Sequence, residues 1–184
     1  MKSRDEILVD GLRSGDRGAQ CELYERYSAS LMAISLRYMG ERAAAEDLLH
    51  DTFIKIFGSI GSFRYRGEGS LRAWMSRIVV NAALGQLRSR GRQQMIPLDE
   101  HRELREQEEI PPDVARVPRE VLLRFIAELP DGYRQVFNLY CIEGYSHRQI
   151  AQSLDINEKS SSSQLLRARR LLIKKVKSYT KLHE

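Results

Sequence analysis

The chain has 184 residues, 42% of them hydrophobic and 30% charged, with a formal net charge of +5. This composition excludes a disordered chain and supports a packed core under a strongly ionic surface, and the length suits one ordinary domain or two small ones. No apolar run reaches the roughly 18 to 20 residues that cross a bilayer, and the N-terminal MKSRDEILVDGLRSGD lacks the unbroken apolar core of a signal peptide, so a cytoplasmic location without membrane insertion is expected. Cys21 and Cys141 stand far apart, outside any CxxC or Cys/His cluster, and read as core thiols, with no disulfide framework or metal site implied.

Charge is distributed unevenly. Residues 1–88 carry 13 basic and 11 acidic side chains, residues 89–118 carry 5 and 7, and residues 119–184 carry 12 and 7. The positive excess therefore lies at the C-terminal end, which is where an anionic partner is expected.

In chain order, a short helix is expected near residues 4–13. Three longer amphipathic segments follow, marked by Leu23, Tyr27, Leu31, Ile34 and Tyr38, then by Ala45, Leu48, Leu49, Phe53 and Ile56, then by Leu71, Trp74, Met75, Ile78 and Ala82. At about 100° per residue, the core stripe of the segment around Ala45 centres near Leu49 and Ile56. Asp47, His50, Asp51, Ile54 and Lys55 are left outside, an apolar knob among charges that suits a docking surface. The loop from Ser62 to Gly69 mixes Phe63 and Tyr65 with Arg64, Arg66 and glycines, the ingredients for holding an unstacked base and its phosphates, and Ser70 is placed to cap the next helix. On that helix Arg77, Asn81, Leu84 and Arg88 fall in one stripe away from the core side and offer polar and cationic groups to a nucleic-acid backbone.

Pro97, Pro111, Pro112 and Pro118 then punctuate a stretch rich in Glu, Arg and Gln and poor in large apolar residues. It reads as a linker, because structureless loops of this length are uncommon inside a compact fold. Beyond it, Val121, Leu122, Phe125 and Leu129, then Val136, Phe137, Leu139 and Tyr140, predict two helices. Ser146-His147-Arg148-Gln149 has the form of a capping box, and Asp155-Ile156-Asn157 supplies a turn whose Asn157 caps a further helix, giving the spacing of a helix-turn-helix. Residues 159–177 carry Lys159, Arg167, Arg169, Arg170, Lys174, Lys175 and Lys177 and no acidic residue, while Leu165, Ala168, Leu172 and Val176 keep an inward stripe. Such a helix tracks phosphates, and its N-terminal half, Ser160 to Ser163 with Leu166 and Arg167, faces base edges, Arg167 being the best bidentate donor to guanine. No segment alternates as a strand. The fold class is therefore all-α: two small helical domains, residues 1–90 and 119–184, joined by a flexible linker over 91–118, with a helix-turn-helix in the second.

The order of parts LYERYSASLMAISLRYMG, AEDLLHDTFIKIF, FRYRGEGSLRAWMSRIVVNAALGQLR, a linker, and LPDGYRQVFNLYCIEGYSHRQIAQSLDINE followed by RARRLLIKKV resembles the extracytoplasmic-function sigma factors over nearly the whole chain. The resemblance implies a promoter-directing subunit of bacterial RNA polymerase, not an enzyme and without a cofactor, nucleoid-associated when active. It implies that the helix bearing Asp47, His50, Asp51, Ile54 and Lys55 docks on the clamp helices of the largest polymerase subunit, with a further contact to the flap of the second subunit. Phe63, Arg64, Tyr65 and Arg66 would capture a base extruded from the minus-ten element, and Arg77, Asn81 and Arg88 would flank the melted junction. Ser162, Ser163, Leu166 and Arg167 would read the minus-thirty-five duplex, with Lys159 and Arg169 on phosphates, and an anti-sigma factor would hold the protein inactive until a signal releases it.

Three departures from the family pattern stand out. Gly85 sits where Asp is common, Asp155 replaces the usual Gly of the turn, and serines fill the start of the recognition helix. The main alternative is a helix-turn-helix regulator of duplex DNA that never meets polymerase, which leaves AEDLLHDTFIKIF and the aromatic loop without a task. Catalysis is disfavoured because His50, His101, His147 and His183 are scattered and no nucleophile constellation or phosphate loop stands out.

Overall fold

A computed structural model describes residues 2–91 and 112–183, and within them every regular element is helical. Most of the predicted linker, residues 92–111, lies outside the described residues. The chain divides into two units, Met1–Gly85 and Gln86–Glu184.

In the first unit, α1 (Arg4–Arg13) starts at a capping box: Glu6 N donates to Ser3 Oγ at 3.2 Å and Ser3 N donates to Glu6 Oε2 at 2.8 Å. Asp16 accepts from the backbone N–H of Gly18 and Ala19, both at 3.1 Å, and so opens α2 (Arg17–Met39), which Gly40 closes in the left-handed region. There follow α3 (Arg42–Ser59), a single 3-10 turn (Ile60–Ser62) and α4 (Ser70–Gly91). Leu23, Leu31 and Tyr38 of α2, Leu48 and Ile56 of α3, and Leu71, Met75 and Val79 of α4 are fully buried. Each such side chain contributes about 1.5–3 kcal/mol of transfer free energy, which pins the face each helix turns inward. Asp5 is buried as well; it accepts from the Tyr27 hydroxyl at 3.2 Å and pairs with Arg26 at 3.0 Å. Burial, together with the adjacent Asp5 charge, raises the Tyr27 phenol above its ordinary pKa.

The second unit takes in the end of α4 from Gln86, and beyond residue 111 it holds a 3-10 segment (Pro112–Arg116), α5 (Arg119–Ala127), α6 (Asp131–Phe137), a π-helical turn (Asn138–Ile142), α7 (His147–Leu154) and α8 (Glu158–Leu182). Val117, Phe125 and Val176 form a core with Val114, Val121, Leu122, Leu172 and Tyr179 packed against it. The end of the predicted linker is thus part of this core: Val114 and Val117 are apolar residues that two flanking prolines had hidden in a stretch otherwise polar.

Two further expectations change. Cys21 and Cys141 are exposed, not core thiols. Cys21 lies midway between the buried Ala19 and Leu23, on the opposite side of α2. Cys141 falls in the π turn, whose wider coil shifts the register after Asn138; Leu139 stays buried, whereas Tyr140 and Ile142 turn outward at 36% and 42% exposure.

Arg134 is 4% exposed, and its guanidinium donates to the carbonyls of Ala127 at 3.0 Å and Leu129 at 2.6 Å and pairs with Asp131. It thereby satisfies the C-terminal end of α5. Arg134→Ala leaves those carbonyls unpaired, and urea unfolding should report a loss of about 2–4 kcal/mol.

Candidate nucleic-acid interface

On α3 the packing of Leu48, Leu49, Thr52, Phe53 and Ile56 fixes which side faces water. Asp47, His50, Asp51, Ile54 and Lys55 are all exposed on that side, Ile54 at 71%. Glu46 on the same face is paired with Arg42 at 2.8 Å.

The loop after α3 is ordered by bonds at both ends. Phe63 is only 4% exposed; its ring lies 5.1 Å from that of Trp74, and its carbonyl accepts from the Arg13 guanidinium. Phe63 is therefore not a surface for an extruded base but the anchor beneath the loop, because its ring finds an aromatic partner inside the unit. Tyr65 is half-buried, its hydroxyl accepting from Ser3 Oγ at 2.9 Å. Gly67 and Gly69 take φ of 109° and 78°, which side chains rarely adopt. Ser70 ties this turn together, donating from Oγ to Gly67 O at 2.7 Å and accepting from Arg66 N at 3.2 Å. The result holds Arg64 and Arg66 exposed at the rim. On α4, Arg77, Asn81 and Arg88 are exposed, whereas Leu84, expected in the same stripe, is 4% exposed. The apolar arc of α4 is wide, running through Val79, Val80, Ala83 and Leu87, and Leu84 at its edge is drawn in.

In the second unit Ser146 caps α7 in a capping box with Gln149, and Asn157 Oδ1 caps α8 by accepting from Ser160 N at 2.6 Å. Between them Asp155 holds φ 57° and ψ 47°, the left-handed geometry that glycine adopts more cheaply. On α8, Lys159, Ser162 and Arg169 are exposed, while Ser163, Leu166 and Arg167 are half-buried. Ser163 Oγ donates to Ser160 O at 3.1 Å, and Arg167 Nη1 donates to the Tyr133 hydroxyl at 3.3 Å. The Arg169 guanidinium carbon lies 5.9 Å from the centroid of Tyr140. Lys175 is ion-paired with Glu128, so the basic face of α8 is partly engaged within the unit.

Ser161, expected at the base-facing surface with its neighbours, is instead fully buried and hydrogen-bonded to His147 Nδ1 at 2.9 Å. Its spacing from Leu165, Ala168, Leu172 and Val176 places it on the inward stripe, a signal present in the sequence but masked by the run of identical residues. Ser3, Arg13, Tyr133 and Tyr140 were also missed as parts of the site; each acts on a segment distant in sequence, for which helical periodicity gives no sign.

Among the described residues no group of three or more His, Cys, Asp or Glu is placed to hold a metal ion, and no helix is long and apolar enough to cross a membrane.

The Sigma-70 region 2 family matches residues 23–93, and the Sigma-70, region 4 family matches residues 119–172. These two regions, in this order on one chain, define a sigma factor of the sigma-70 class. The RNA polymerase sigma-H factor of Pseudomonas aeruginosa is 27% identical over 187 residues, covering 94% of each chain. The ECF RNA polymerase sigma-E factor of Haemophilus influenzae is 28% identical over 186 residues, covering 94% of this chain and 95% of its own. A solved structure of the sigma factor RpoE with the anti-sigma factor NepR from Bartonella quintana aligns at 22% identity and a TM-score of 0.48, over 85% of this chain and 95% of that one. The chain belongs to the extracytoplasmic-function sigma factors, which direct RNA polymerase to promoters.

The burial of Phe63 has a measurable consequence. Phe63→Ala should lower stability by about 3–5 kcal/mol in thermal unfolding, whereas Arg64→Ala and Arg66→Ala, at exposed positions, should each change it by no more than about 0.5 kcal/mol.

Proposed function

We propose that the two units divide promoter recognition between them. The outward face of α3, with Asp47, His50, Asp51, Ile54 and Lys55, docks on the clamp helices of the largest polymerase subunit. Arg64, Tyr65 and Arg66 at the rim of the loop, held up from beneath by Phe63, take the extruded base and phosphates of the minus-ten strand. Arg77, Asn81 and Arg88 flank the melted junction. The N-terminal half of α8 enters the major groove of the minus-thirty-five duplex, with Ser162, Ser163, Leu166 and Arg167 toward base edges and Lys159 and Arg169 toward phosphates. Its unit also meets the flap of the second polymerase subunit, and residues 92–111 act as the linker. The chain itself performs no catalysis. Strand opening is driven by binding the extruded base, and chemistry stays with polymerase. It acts in the cytoplasm, at the nucleoid when engaged, and an anti-sigma factor covering these faces keeps it idle.

The observation that carries this reading is Ile54, 71% exposed on a face with Asp47, Asp51 and Lys55. A regulator acting on duplex DNA through α8 alone has no use for an apolar knob in the other unit, whereas a docking surface needs an apolar centre inside a charged rim.

Two substitutions separate the surfaces. Ile54→Asp should weaken association with core polymerase by about 10- to 100-fold while leaving binding of the upstream duplex intact. Arg167→Ala should weaken duplex binding by about 5- to 100-fold and spare polymerase association. Fluorescence titrations with labelled core enzyme and labelled duplex measure both. Equal loss of both activities in both variants would reject the division.

A further inference from the structure

Three serine or threonine hydroxyls are wholly buried among the described residues: Ser35, Thr52 and Ser161. The first two are satisfied inside their own helices, Ser35 Oγ donating to Leu31 O at 3.0 Å and Thr52 Oγ1 to Leu48 O at 2.6 Å, the ordinary arrangement for a hydroxyl in a helix. Ser161 differs. It bonds across to His147 Nδ1 on the preceding helix, at 2.9 Å.

That imidazole is held in turn. Its ring stacks on Tyr140 with centroids 4.6 Å apart and planes 22° from parallel, and the Arg169 guanidinium carbon sits 5.9 Å from the same tyrosine ring. The sequence of contacts Ser161, His147, Tyr140, Arg169 therefore begins and ends on α8, about two turns apart, and passes through α7 and the π turn between. His147 is not needed to start α7, because Ser146 and Gln149 already complete that cap. Nor do the buried apolar residues of α7 (Ile150 and Ala151) and of α8 (Leu165, Ala168 and Val176) fix a rotation by themselves, since apolar packing is largely non-directional whereas a hydrogen bond is not.

We infer that the His147–Ser161 bond, braced by Tyr140, sets the rotation of α8 against α7 and so decides which side chains of α8 reach base edges. His147 and Ser161 are then positioning residues for duplex recognition. Ser162 and Ser163 adjoin the bonded serine and Leu166 lies a turn beyond, so any rotation of α8 moves all three together. Arg169, at the other end of the bracket, moves with them. This inference rests on the reading of α8 as the helix that enters the major groove.

The test uses the full chain assembled with core RNA polymerase and a pool of randomised duplex from which the wild-type assembly selects its preferred sequence. His147→Phe keeps the stack on Tyr140 and loses the bond. Ser161→Ala removes the partner, and His147→Asn places an amide near the Nδ1 position, keeping a bonding group without the ring. Ser161→Ala and His147→Phe should each weaken binding to the selected duplex by about 3- to 10-fold and relax its base preference. The double variant should be no worse than the poorer single, and His147→Asn should recover the preference. Association with core polymerase should be unchanged throughout. Unaltered preference in both singles, losses that multiply in the double, or an Asn variant as defective as the Phe variant would overturn the positioning role while leaving the sigma reading intact. Failure of the wild-type assembly to select any duplex would instead overturn the reading of α8, and this inference with it.

Discussion

An amphipathic helix has one face to bury, and the face left over is fixed by that burial. In this protein the constraint governs both of the surfaces proposed for recognition. Leu48, Phe53 and Ile56 pull one side of α3 into the first unit, and the opposite side, with Ile54 at its centre, is exposed. Leu165, Ala168 and Val176 do the same for α8 and turn its cationic side outward. Core packing thus chooses which face of each helix turns outward, and on α8 the His147–Ser161 bond is proposed to fix the rotation within that face.

The loop between α3 and α4 obeys a different logic. Periodicity cannot order it, so side-chain bonds do: Arg13 and Ser3 reach it from α1, Trp74 receives Phe63, and Ser70 closes the turn. An anchored loop that presents arginines loses less conformational freedom on binding than a free one, which suits it to the nucleic-acid contact proposed for it. On α8 Arg167 donates to the Tyr133 hydroxyl and Lys175 pairs with Glu128, and a surface pair of the latter kind is worth at most about 1 kcal/mol, a small cost for Lys175 to meet a phosphate under the proposed function. Binding through this helix should accordingly weaken as salt rises.

Much of this was legible in the sequence, and the reasons are physical. The 3.6-residue recurrence of large apolar residues gave the helices, and Ser146, Gln149 and Asn157 marked the two starts of the helix-turn-helix because caps are local chemistry. The outward set on α3 followed from rotation about a single axis. Where the reading failed, tertiary context had the deciding role. Phe63 looked like a base-stacking residue until Trp74 took its ring; Leu84 and Ser161 looked outward until the apolar arcs of α4 and α8 were seen to be wider than their large residues suggest. Cys141 and Tyr140 moved because a π turn breaks the period that placed them, and Val117 was assigned to a linker because prolines flank a residue that in fact belongs to the second core.

The account stands or falls on whether the two outward helix faces act together on one polymerase. The most direct measurement is transcription in vitro from a library of genomic fragments by purified core RNA polymerase, with and without this protein. New start sites that share two short motifs at a fixed separation are the predicted result, one motif for each unit. A start-site map that the protein leaves unchanged, or one with a single upstream motif, would contradict it.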